Sequence, residues 1–284
     1  LDLVRRTTAL RDEGRRLPLG GLAPCPRVDL PTDAPRVLIF SPHPDDECII
    51  GGLALRLLRE AGCRVVNVAV TQGSNKARQA GRLEELRAAC HFLQFDLVTT
   101  APGGLERINP KTRAGDPRHW EACVAVIRDI LRDHKPTALL CPHDQDWNSS
   151  HIGTHLLVMD ALKVALPDHP CLVFETEFWG QMATPNLMVE SSARDVADLI
   201  AACSFHVGEV QRNPYHLNQT AWMQDNVRRG GELVGGQGGA APDYLFATLY
   251  RMRRWTGQEL VATHTGGRNL SCSENAASLL QSLG

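Results

Sequence analysis

Short β-branched runs alternate with longer amphipathic stretches, and this alternation most limits what the chain can fold into. RVLIFS (36–41) reads as a buried strand, followed by a Gly51-Gly52 pair and a helical LALRLLREAG. CRVVNVAVT (63–71) is the next strand. Arg78 to Leu93 is a helix with Leu83, Leu86 and Ala89/Cys90 on one face, and FDLVTT (95–100) is a short strand. Trp120 to His134 carries the apolar stripe Val124, Ile127 and Leu131. TALLCP (137–142) is a strand, His151 to Leu166 a helix and CLVFETEFW (171–179) a further strand. Such alternation predicts an α/β fold: a Rossmann-like, mostly parallel sheet with helices on both faces and a smaller, irregular C-terminal part.

The organisation expected around that core is a helical extension over 1–34, the α/β core over 35–190 and a C-terminal part over 191–284, joined in one continuous domain. Residues 103–118 carry Gly, Pro and charge without periodicity and read as a long surface loop. Ala193–Cys203 reads as a helix. GGELVGGQGGAAP (230–242) reads as flexible, YLFATLYRM as a strand, and the last twenty residues as loosely ordered. The Gly235–Gly239 run is no phosphate loop, because no strand precedes it and no Lys-Ser/Thr follows.

At 284 residues and 43% hydrophobic, the chain can bury a sizeable core. Its net charge is −2 with both signs mixed, so no basic stripe points to nucleic acid. No apolar run approaches the ~20 residues of a membrane span, and residues 1–17 lack the pattern of a signal peptide. The nine cysteines are odd in number and widely spaced, with no C-x-x-C. Free thiols in a reducing, cytoplasmic setting are expected, rather than disulfides or a cysteine-held zinc.

Two polar clusters fall at strand ends, where open α/β sheets bind ligands. One is His43-Pro44-Asp45-Asp46-Glu47 after strand 36–41. The other is His143-Asp144-Gln145-Asp146-Trp147-Asn148 after strand 137–142, running into His151 and His155. Asp-Asp-Glu before a helix is also ordinary capping. The His-Pro in front and the second His-rich strand end favour a metal: imidazole and carboxylate hold the ion and leave it Lewis-acidic, while a second carboxylate takes the proton from water. Asp45 and Asp46 can divide those tasks, because neighbouring side chains in a turn point apart. His143 and His155 stay open as ligands. Trp179, Trp222 and Tyr215 read as buried aromatics or as sugar-stacking ones.

The stretch SPHPDDECIIGG, then Thr71-Gln72-Gly73, then the block from Arg82 to Ala89, resembles the PIG-L/LmbE-like family of zinc-dependent N-acetylglucosaminyl deacetylases over roughly residues 35–165. The resemblance implies an N-deacetylase acting on an amino sugar or glycoconjugate. It implies His43, Asp46 and His151 as metal ligands, Asp45 as general base, and Arg82 as a substrate-binding or ion-pair residue, with Trp179 a further candidate for binding substrate. The ion would be Zn2+, with Fe2+ also suited to the donors. Asn148 stands where the family usually has a histidine. It could donate to an oxyanion but could not act as an acid, so His143, His206, His216 and His264 are the candidates to enter the site. Two rival readings are a metal-binding relative without turnover and an Fe(II)-dependent oxygenase.

Overall fold

The computed structural model describes residues 1–166 and 169–283. Its strands are β1 (Arg36–Ser41), β2 (Arg64–Ala69), β3 (Asp96–Thr99), β4 (Ala138–Pro142), β5 (Cys171–Thr176), β6 (Leu187–Glu190), β7 (Ala247–Trp255), β8 (Leu260–Ala262) and β9 (Arg268–Leu270). Among the described residues they form one sheet in the order β3-β2-β1-β4-β5-β7-β6-β9, with β8 on β7. β1 to β5 are parallel; β7 runs antiparallel to both β5 and β6, and β9 is parallel to β6. Strand order reverses between β1 and β4, which makes the crevice beyond their carboxyl ends the natural ligand site.

Both faces of the sheet are covered. Side chains alternate along β1, so Val37 and Ile39 join one core while Leu38 and Phe40 join the other. The first core takes the apolar faces of α2 (Leu53–Arg59), α3 (Lys76–Leu93) and α7 (Ala193–Cys203); the second takes those of α5 (Pro117–His134) and α6 (Ser149–Ala165). An N-terminal helix, α1 (Asp2–Gly14), buries no residue.

The structure departs from the sequence reading in four places. The expected 103–118 loop contains helix α4 (Pro110–Gly115), and α5 begins already at Pro117. Asn109 and Asp116 cap these helices with Pro at the first position, so each proline opens a helix instead of breaking one. The expected strand 171–179 ends at Thr176, and β6 was not anticipated. Residues 207–233 form two further helices, α8 (Val207–Arg212) and α9 (Gln219–Leu233). Gly230, expected to be flexible, lies in α9, where a Cβ would come within 2.5 Å of Met188 Sδ. The C-terminal residues are packed too. Leu270, Ala276 and Leu279, the last in α10 (Ala277–Leu280), are fully buried. The buried Arg56 guanidinium donates to the carbonyls of Ser271 (3.0 Å) and Glu274 (2.6 Å).

Helix α6, which carries two of the histidines, lies hard against the backbone before α4. A Cβ at Gly153 would sit 2.5 Å from Ile108 O. Gly153→Ala is therefore expected to lower stability by about 1–3 kcal/mol despite alanine's better helix propensity. Urea unfolding of the two proteins checks it, and an unchanged or raised midpoint would contradict the packing described.

Candidate metal centre

The turn after β1 is pinned from both sides. Thr71 Oγ1 donates to Pro42 O (2.7 Å), and the His43 amide donates to Asp46 Oδ2 (2.8 Å). Asp45 adopts φ 111°, a left-handed conformation that few non-glycine residues take. Its amide donates to Glu47 Oε2 (3.0 Å), and Glu47 Oε1 is bound by His206 Nε2 at 2.7 Å.

That backbone sends the two aspartates apart. Asp46 Oδ2 lies 3.5 Å from His43 Nδ1 and 3.4 Å from His151 Nε2, and the two ring nitrogens are 3.2 Å apart. In a tetrahedral site with bonds of ~2.0–2.2 Å, neighbouring donor atoms stand ~3.3–3.6 Å from each other. The triangle therefore has the dimensions of three ligands around one divalent ion. Asp46 Oδ1, the oxygen outside the triangle, is buried without a hydrogen-bond partner, and a cation at the triangle would offset the cost of burying that carboxylate. Asp146 Oδ2 faces the far side of the His151 ring, 3.6 Å from Nδ1, the usual place for a carboxylate that orients a histidine ligand.

Asp45 points the other way. Tyr215 donates to its Oδ2 at 2.6 Å, and Arg82 stands 3.5 Å from the same oxygen while donating to Pro44 O (2.8 Å). Burial, and then repulsion from the Asp46 carboxylate, push Asp45 up to about 6. Asp46 is buried as well, yet His151 and His43 hold its carboxyl below the usual range. His151 also loses by burial, but the attraction of the Asp46 and Asp146 carboxylates raises it.

The other expected site residues divide. Asn148 caps α6 through Oδ1, which accepts from the Ser150 amide (2.9 Å), and this leaves its –NH2 free to donate. His143 is buried with both nitrogens committed to backbone, Nε2 to Gly180 O (2.9 Å) and Nδ1 to the Gln145 amide (3.2 Å). It braces the 177–180 turn, where both of its ring nitrogens are engaged. Arg82 supports the motif from below and does not line either cavity beside the triad. His155 donates to Pro142 O (3.0 Å) and His264 lies against Asn186 O (3.1 Å). His216 is buried away from these bonds. Sequence reasoning missed the roles of Tyr215, His206 and Asp146. Only Asp146 carried a signal, its place in the strand-end cluster.

Two cavities of about 320 Å³ each flank the triad. His43, Lys76, Arg107 and Ser150 line one; Trp147, Trp179 and Trp222 line the other. Trp147 and Ser150 lie three residues apart at the start of the helix that carries His151.

Residues 38–162, within the α/β core, match the PIG-L family, described as GlcNAc-PI de-N-acetylase. No curated protein matches the chain. Among solved structures, the N,N'-diacetylchitobiose deacetylase from Pyrococcus horikoshii is similar at 16% identity and TM-score 0.57, over 79% of this chain and 85% of that one. A deacetylase of teicoplanin biosynthesis is similar at 18% identity and TM-score 0.54, over 78% of this chain and 98% of that one. The 4-carboxy-2-hydroxymuconate hydratase from Pseudomonas putida is similar too, at 18% identity and TM-score 0.55, over 77% of this chain and 95% of that one. At such identities the likeness is one of fold. No helix among the described residues is long and apolar enough to cross a membrane.

The triangle makes a direct prediction. Purified protein is expected to carry close to one zinc or iron per chain by elemental analysis. Asp46→Asn and His151→Ala should each lose most of it, whereas His143→Gln should retain it.

Proposed function

We propose that the chain is a metal-dependent amide hydrolase that removes an N-acetyl or other N-acyl group from an amino sugar or glycoconjugate. The observation that carries this is the His43–Asp46–His151 triangle, with a separately held carboxylate, Asp45, beside it. The PIG-L match and the two deacetylases of like fold support it.

His43, Asp46 and His151 would hold the ion, zinc or ferrous iron. A divalent ion there supplies Lewis acidity, polarising the amide carbonyl and easing deprotonation of water. Asp45 takes the proton from the attacking water, and its raised affinity for protons suits a general base working near neutrality. Tyr215, Arg82 and the Glu47–amide bond fix the direction of that carboxylate. The free –NH2 of Asn148 donates to the carbonyl oxygen as negative charge gathers on it. Asp45 then returns its proton to the departing nitrogen as the C–N bond breaks, leaving acetate and a free amine. This return step covers the missing histidine at position 148.

A parallel α/β sheet separates the chain from the β-barrel jelly rolls that usually carry two-histidine, one-carboxylate oxygenase sites. The hydratase of like fold shows that this scaffold also hosts addition of water without amide cleavage, so released acetate is the deciding product. Nine free cysteines among the described residues accord with a reducing, cytoplasmic location.

On an N-acetylglucosamine conjugate that the wild type cleaves, Asp45→Asn is expected to lower kcat by about 10²–10⁴-fold with the metal retained. Full activity in that variant would overturn the assignment. Tyr215→Phe removes one hydrogen bond to a carboxylate and should cost about 10-fold or more in kcat while KM stays nearly constant. Acetate release with and without a chelator measures both. No acetate from any conjugate by metal-loaded protein would leave the non-catalytic relative as the better account.

A further inference from the structure

The cavity on the tryptophan side of the triad has a chemical character of its own. Four aromatic side chains, Trp147, Phe178, Trp179 and Trp222, stand among its walls. The Trp179 and Trp222 rings meet at 85° with centroids 5.9 Å apart, and Trp147 stands at the mouth, 77% exposed. Two perpendicular indoles offer a ring-shaped ligand one face to lie on and one edge to abut.

Two neutral polar groups that line this cavity are unused. Gln219 is 1% exposed, and neither its Oε1 nor its Nε2 has a hydrogen-bond partner. Thr248 Oγ1, also lining the cavity, is buried and unpartnered. A buried amide with both ends unmatched is costly, and a ligand presenting adjacent hydroxyls would satisfy acceptor and donor together.

The charged groups at the same wall are already paired. Arg229 forks onto Glu177 at 3.0 and 2.5 Å and also reaches Asp225 at 3.2 Å. Glu177 further accepts the Met182 amide (2.6 Å), and Asp225 accepts from Arg228 (2.8 Å). An anionic or cationic ligand would find no free counter-charge there. The opposite cavity differs, since its Lys76–Glu106 and Arg107–Asp116 pairs are exposed to solvent.

We propose that the cavity between Trp147, Trp179 and Trp222 is a subsite for a neutral pyranose ring, stacked on indole and hydrogen-bonded through Gln219. Aromatic faces joined to a neutral amide and a hydroxyl match a sugar, which has apolar C–H faces and a polar rim. A volume of about 320 Å³ admits one such ring. The subsite adjoins the triad: Phe178, which also lines the cavity, packs edge-on against the His151 ring with centroids 5.0 Å apart. The Asp146 carboxylate that faces His151 accepts the Trp179 and Gly180 amides, each at 3.2 Å. The subsite extends the amino-sugar reading above, but it can be tested apart from it.

Protein stripped of metal by a chelator, and so unable to turn over, is titrated with N-acetylglucosamine and with methyl β-glucopyranoside while intrinsic tryptophan fluorescence is followed. A saturable change with both sugars is expected. Trp147→Ala, a change at an exposed position that leaves the core intact, should weaken binding about tenfold, and Gln219→Leu should weaken it comparably. No saturable change in the wild type, unaltered affinity in folded Trp147→Ala, or tighter binding of phenol or hexanoate than of either sugar would each overturn the proposal. Sugar binding by the stripped protein, with no acetate released by the metal-loaded protein from any conjugate, would support the subsite while sinking the deacetylase reading. Acetate release without sugar binding in this assay would do the reverse.

Discussion

The bond from the Asp45 amide to Glu47 is the constraint on which the rest of the site depends. A left-handed aspartate costs of order 1–3 kcal/mol and persists only where its surroundings over-determine it. Here Glu47, fully buried, accepts that amide with one oxygen and is bound by His206 with the other. His206 sits between α7 and α8, far along the chain from the motif. The bend it helps to hold turns two adjacent carboxylates into groups with opposite environments. Asp46 looks at two imidazoles and is held in its charged form; Asp45, buried beside the Asp46 charge, is pushed toward protonation even though Tyr215 donates to it. Environments that drive neighbouring acids apart are how one site obtains both a ligand and a base.

Much of this was legible in the sequence, and the limits have physical causes. Period and burial marked β1, β2, β4 and the helices between them, because strands buried on both faces read as continuous apolar runs. The parallel pairing of β1 with β4 then brought His43, Asp46 and His151 together across more than a hundred residues. The prolines at 110 and 117 misled, since proline at the first helical position and proline in a loop look alike without the cap in view. Gly230 misled for a related reason. A glycine required by the approach of Met188 leaves the same mark as one required for flexibility. Tyr215 and His206 were out of reach, because their roles come from where the C-terminal helices dock and no local pattern encodes that.

His143 illustrates a further limit. Its position at a strand end beside the site made it a candidate acid, and the backbone groups of Gln145 and Gly180 absorbed it instead. Histidine at such a place can serve the chemistry or serve the loop that frames it. The distinction rests on which groups lie within 3 Å. Fold likeness is no more decisive: a deacetylase and a hydratase share this architecture with the chain, so the chemistry is set by side chains such as the triad and its neighbours.

The Gly51-Gly52 pair that closes the motif has a consequence for how such a protein can diversify. A methyl group on Gly51 would come within 2.0 Å of the Thr248 hydroxyl, and one on Gly52 within 2.6 Å of Ser191 Oγ. The turn that carries Asp45 and Asp46 is therefore seated directly on residues of the C-terminal third, the part expected to vary with substrate. Insertions in the loops beyond β6 and β7 can remodel what enters the cavity. The two contact points themselves are fixed, and bulk added at 191 or 248 would unseat the turn. The rim of the site can be redrawn without touching those contacts, while the seat beneath it has no room for added bulk.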